Sequence, residues 1–101
     1  MLKIDKNHVE HLYKAVLTLK TPEECAAFFD DICTIQELEA LAQRLQVASL
    51  LDQGKNYGEI NKQTGASTAT ICRVSKCFHY GDGGYKTAID RLKEAGEQYE
   101  V

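Results

Sequence analysis

Three histidines, four cysteines and fifteen acidic side chains are the groups of this 101-residue chain that could ligate a metal or run acid–base and nucleophilic chemistry. Their spacings argue against all of these. Cys25 and Cys33 are separated by seven residues, and Cys72 and Cys77 by four, whereas a structural zinc site wants a close C-x₂₋₄-C pair and a matching second pair. Cys72, Cys77 and His79 make only a partial ligand set. His8 and His11 stand three apart with no third ligand nearby. Asp30 and Asp31 are consecutive, and neighbours on a helix point about 100° apart, so the two carboxylates do not converge on a substrate. No serine, cysteine or histidine has both a base and a group to orient that base. The reading is therefore of a non-enzyme with no catalytic residue, no metal and no cofactor.

The chemistry that remains is recognition of phosphates and base edges. It is concentrated in NYGEINKQTGASTATICRVSK, residues 56–76. Ser67, Thr68, Ala69 and Cys72 are small or hydroxyl-bearing and permit close approach to base edges; Arg73, Lys76 and Lys62 suit phosphates or guanine, and Lys55 adds a further cation toward the backbone. The net charge of −3 looks wrong for a nucleic-acid binder until it is mapped along the chain. Residues 1–54 carry −4, residues 55–93 carry +4 and residues 94–101 carry −3. One end of the chain is thus suited to phosphates.

Such residues need a scaffold to hold them, and the apolar spacing predicts an all-α chain of about six helices. Ile60 on one short helix, and Ile71 and Val74 on the next, fall where a helix-turn-helix is held together, with Gly65 at the sharp turn in a conformation of positive φ. Asn56 with Glu59 predicts a capping box, and Ser67 a second N-cap. The reading helix is placed at 67–78. Asn61 occupies a position that is usually small and predicts a looser contact between the two helices. Upstream, Val9, Leu12, Tyr13, Val16 and Leu19 predict a helix over about 7–19. Thr21-Pro22-Glu23-Glu24 starts another, with Cys25, Phe28, Phe29 and Ile32 as its inner stripe and Cys25 and Cys33 as small apolar core residues. Thr34 to Glu37 opens the longest, ended near Gln53 by Gly54. Its apolar residues Ile35, Leu38, Leu41, Ala42, Leu45, Val47, Ala48, Leu50 and Leu51 cover more than half the cylinder. A 101-residue monomer can hardly surround such a helix, which points to a homodimer core.

After the helix-turn-helix, Gly81, Gly83 and Gly84 break the helix; they lack the order of a phosphate-binding P-loop. A last helix over about 85–95 turns Ala88, Ile89, Leu92 and Ala95 inward, Gly96 ends it, and a frayed acidic tail follows. The chain divides into dimerisation helices at 1–54, the helix-turn-helix at 55–79, and the glycine loop and C-terminal helix at 80–101, all within one domain. No secretory leader and no apolar run near the roughly 18 residues that span a bilayer is visible, so reduced thiols, a cytoplasmic location and no membrane partner are expected.

The segments EALAQRLQVASLLDQG at 39–54, TGASTATICRVSK at 64–76 and YGDGGYKTAIDRL at 80–92 resemble the Trp repressor family, and the last of them its YerC/YecD-type branch. The resemblance implies an intertwined, all-helical homodimer with two helix-turn-helix heads for successive major grooves of double-stranded DNA. It also implies a small-molecule site at Thr34, Arg44, Thr70 and Arg73. Two departures bear on that site. Val74 stands where the family's namesake has a glycine beside the indole ring of its corepressor, and Cys77 replaces a serine. A branched side chain there carries about 1–3 kcal/mol of overpacking against a flat ring, so L-tryptophan is not the expected effector. Gly58 and Asn61 replace basic DNA-contacting residues, so no operator sequence carries over. The leading function is a bacterial DNA-binding transcriptional regulator, a repressor, with an unidentified effector left open. The sequence pI of about 5.6 keeps a second reading alive, a helical interaction dimer that has lost DNA binding.

Overall fold

A computed structural model describes residues 5–97. Among them the backbone forms six helices and no strand: α1 Lys6–Leu17, α2 Pro22–Ile32, α3 Ile35–Asp52, α4 Tyr57–Thr64, α5 Thr68–Tyr80 and α6 Gly84–Glu94. Two compact units divide the chain, one ending at Leu38 and the other beginning at Glu39, so the break falls inside α3. The carboxy-terminal tail expected to fray lies, from residue 98 on, outside the described residues.

The helix starts follow from local hydrogen bonding. A helix leaves its first amides without intrahelical acceptors, and an oxygen-bearing side chain at the N-cap supplies one. Asp5 accepts from the Asn7 amide at 2.8 Å, and Thr21 from Glu24 at 3.1 Å. Thr34 and Glu37 exchange bonds at 3.1 and 2.8 Å, and Asn56 and Glu59 at 2.9 and 3.2 Å, so both form full capping boxes. In α2 the box is incomplete: the Glu24 carboxylate accepts from Lys20, one residue before the cap. The end of α3 is also local. Gly54 adopts φ 82°, its amide donates to Leu51 and the Lys55 amide donates to Leu50, a Schellman closure that favours glycine.

In the first unit no residue of α1 or α2 is buried. The stripe of α2 is legible but uncovered: Cys25, Phe28 and Phe29 are half-buried, and Ile32 is 51% exposed. Cys25 and Cys33 are therefore not the core residues the sequence predicts, although all four thiols are free. Leu12, Tyr13, Leu17 and Ile35 are likewise exposed, Leu17 at 82%. These helices obey their amphipathic pattern without finding, in one chain, the surface that the pattern demands.

The second unit holds the core. Val47, Ala48 and Leu50 of α3, Ile60 of α4, Ala66 of the turn, Ile71, Val74 and Phe78 of α5 and Ile89 of α6 form one buried cluster. α4 packs on α5 and α5 on α6, and the Lys86 ammonium sits 5.2 Å over the Phe78 ring. Lys93 pairs with Asp52, fixing the end of α6 to the end of α3. The hydrogen bond to that carboxylate holds the Lys93 ammonium above its ordinary pKa of 10.5. A raised lysine pKa stabilises the fold fully below that value, and the contribution is lost only as pH climbs past it. On α6 only Ile89 is buried, whereas Ala88 and Leu92 are exposed. On α3, Leu41 and Leu45 remain 44% and 38% exposed.

Fully burying an isoleucine contributes about 1.5–3 kcal/mol, and truncating it adds the penalty of an unfilled cavity. Ile71→Ala should therefore lower unfolding stability by about 2–5 kcal/mol in urea titrations. At Gly65 the limit is the backbone: φ is 72° and no atom lies within 4 Å of an added Cβ. Gly65→Ala is expected to destabilise by about 1–2 kcal/mol through strain alone.

Candidate nucleic-acid interface

Three short-range arrangements build the helix-turn-helix. Asn56 starts α4 through its capping box, Gly65 ends it in the left-handed region with its amide donating to the Asn61 carbonyl, and Ser67 starts α5 by accepting from the Thr70 amide at 3.2 Å. Ile60, Ala66, Ile71 and Val74, each at most 2% exposed, fill the space between the helices. The apolar side of α5 being committed inward, its other side is necessarily the one presented to solvent.

All seven residues expected to face nucleic acid are exposed: Lys62 on α4, Ser67 at the cap, and Thr68, Ala69, Cys72, Arg73 and Lys76 on α5. The reading helix runs from Thr68 to Tyr80, two residues beyond its expected end. Its first turn carries the small side chains and its later turns the cations, the order that lets an amino-terminal tip approach bases while the flanks meet phosphates. Neither Arg73, Lys76 nor Lys62 is in an ion pair among the described residues, so their charge is not neutralised within the chain. Lys55 is different, being 4.0 Å from the Glu59 carboxylate. The Ser67 hydroxyl is engaged as well, accepting from the Thr70 amide and donating to the Thr70 hydroxyl at 3.1 Å. Any contact it makes to nucleic acid is secondary to capping α5.

The residues expected to hold a small molecule are placed as follows. Thr34 belongs to the first unit, where it caps α3. Arg44, Thr70 and Arg73 belong to the second, with Arg44 and Thr70 half-buried and Arg73 exposed. Arg44 forms no ion pair among the described residues, so pairing with Glu37 or Glu39 does not account for it. Val74, at 2% exposure, is built into the core cluster. A cavity of about 400 Å³ between α3 and α6 is lined by Leu45, Ser49, Asp52, Ile89, Leu92 and Lys93 among others, and another of about 400 Å³ by Cys77, Gly81, Asp82, Gly84, Tyr85 and Ala88. Neither is lined by Thr34, Arg44, Thr70 or Arg73.

Two interactions were not foreseeable from the residue pattern. The Asn61 side-chain amide donates to the Ala66 carbonyl at 2.8 Å, and that of Gln43, on α3, donates to the Thr64 carbonyl at 3.2 Å. The expectation of a looser contact at Asn61 is thereby corrected, because the larger side chain reaches across the turn and ties it.

A family model described as Trp repressor protein matches residues 7–93. The chain belongs to the Trp repressor family. Within it, the chain is 50% identical over 96 residues to the uncharacterized protein YerC of Bacillus subtilis (strain 168), with 92% of each chain covered. Its fold is similar to that of a candidate Trp repressor from Staphylococcus aureus, with a TM-score of 0.84, 44% identity and coverage of 88% of this chain and 89% of the other. It is also similar to a TrpR-like protein from Eubacterium eligens ATCC 27750, with a TM-score of 0.83, 40% identity and coverage of 95% and 96%. The Trp repressor family is one of regulatory DNA-binding proteins. No helix among the described residues is long and apolar enough to cross a membrane.

Each phosphate-contacting cation releases condensed counterions and contributes about one unit to the slope of log affinity against log salt. Replacing Arg73 and Lys76 together by alanine should flatten that slope by about two units, with the circular dichroism of the helices unchanged. An unaltered slope would remove both residues from the interface.

Proposed function

We propose that this protein is a sequence-specific DNA-binding transcriptional regulator, a repressor that acts as a homodimer in a bacterial cytoplasm and reads the major groove with α5. The observation that carries the reading is the division of α5 into a buried face, Ile71, Val74 and Phe78, and an exposed face of small residues followed by unpaired cations. A helix used only for packing has no need of that order along its outer face. Nothing in the function requires a chemical step.

The homodimer is supported by what one chain leaves uncovered. Leu12, Tyr13, Leu17, Ile32 and Ile35, with Leu41 and Leu45 further along α3, amount to an apolar surface too continuous for a monomer. A second copy would bury the same residues in self-complementary fashion, and twofold symmetry would set two α5 helices toward half-sites about 34–36 Å apart. L-Tryptophan is not the effector under this reading. Val74 occupies core volume, and making room for an indole ring would require repacking Ile71 and Phe78 around it.

Selection of bound fragments from random duplex DNA tests the proposal. Enrichment of roughly palindromic sites with half-sites about one helical turn apart is expected; no enrichment at low salt would leave only the interaction-dimer reading. Sedimentation at micromolar concentration should show a dimer, and a stable monomer would refute it. Calorimetry with L-tryptophan should give no binding heat, and micromolar binding would overturn the argument from Val74.

A further inference from the structure

The link between α4 and α5 is three residues long, and it alone sets the angle at which α5 leaves the body of the second unit. Thr64, Gly65 and Ala66 carry between them three carbonyls and three amides. The tight turn removes most of these from helical bonding. Gly65, at φ 72° with open space around its α-carbon, supplies the turn but no restraint on it.

Restraint comes instead from side chains. The Asn61 amide donates to the Ala66 carbonyl at 2.8 Å, and the Gln43 amide donates to the Thr64 carbonyl at 3.2 Å from 21 residues away on α3. The Thr64 hydroxyl donates to the Ile60 carbonyl at 2.7 Å and accepts from the Ala66 amide at 3.0 Å. The Gly65 amide donates to the Asn61 carbonyl at 2.9 Å. Both carbonyls flanking the glycine are thus held by amide donors from different helices, one from α4 and one from α3. All four bonds made by side chains are partly shielded from water, where a lost partner is felt most.

The geometry points to Asn61 and Gln43 as positioning residues for DNA reading: they fix the direction of α5, so the reading head is set from within the chain and needs no bound small molecule to set it. Neither side chain has to touch DNA for this. The inference rests on the DNA-binding function proposed above. Apolar contact among Ile60, Ile71 and Val74 holds α4 and α5 together, but such contact is non-directional and tolerates small changes of angle. Hydrogen bonds to two successive segments of the turn do not.

The distinction between orientation and stability makes the proposal testable. Asn61→Leu and Gln43→Met keep most of the side-chain volume and remove the donor. The probes are a duplex selected from random sequence by the wild-type protein and a scrambled duplex of the same length and composition. A directional role predicts a roughly tenfold fall in affinity for the selected duplex for each variant. Affinity for the scrambled duplex should change by less than about twofold, with the salt slope unchanged, since the phosphate contacts are intact. A purely structural role lowers both affinities together and overturns the proposal, as does unchanged affinity for the selected duplex. A wild-type protein that binds neither duplex overturns the DNA-binding reading itself, and the positioning role with it. L-Tryptophan or a metabolite mixture raising the wild-type affinity tenfold or more would contradict a head set from within.

Discussion

The contact on which the remainder depends is the meeting of Ile60 with Ile71 and Val74 across the turn at Gly65. It is a small contact. Its consequences are large because α4 has eight residues and α5 thirteen, lengths at which isolated helices are marginal in water and take most of their stability from tertiary packing. Burying three branched side chains supplies that packing and, by using up one side of α5, decides which residues face outward. The exposure of Thr68, Ala69, Cys72, Arg73 and Lys76 follows from that choice.

Charge and apolar surface are distributed by the same logic at the level of the chain. The excess of acidic residues lies in residues 1–54 and in the tail, and the excess of basic residues between them, in the part that carries the helix-turn-helix. A DNA-binding protein with a negative total charge is reasonable when its field is this uneven, because association is governed by the potential near the approaching face and the Debye length at physiological salt is only about 8 Å. The first unit has the complementary property. Its helices are well capped and clearly amphipathic, yet none of their residues is buried. That combination suits the proposed dimer, in which helix formation is settled locally and burial is supplied by the second copy.

How much of this was legible in the sequence depended on range. The capping boxes at Thr34 and Asn56 could be read directly, because the partners are three residues apart and the bond is made within one helical turn. Gly65 was readable because few other residues tolerate its backbone angle. The inward positions of Ile60, Ile71 and Val74 followed from helical period. By contrast, Phe28, Phe29 and Ile32 have the period of a buried stripe without being buried, since periodicity reports that a face is apolar and not what covers it. Asn61 was misjudged by size: its amide bonds to a carbonyl five residues on, a contact that exists only once the chain has turned. The bond from Gln43 to Thr64 spans 21 residues and has no local signature at all. At the candidate site, the exposed cations were legible individually, while the engagement of Ser67 and Lys55 by neighbouring groups was not.

Membership of the Trp repressor family and the division of α5 into inner and outer faces lead to one central claim, that α5 enters the major groove from each of two copies. Methylation interference on a selected duplex tests it most directly, because N7 of guanine lies in the major groove and its methylation blocks a helix placed there. The account predicts interference in two patches separated by about one helical turn. Interference absent from the major groove, or present in a single patch, would contradict it.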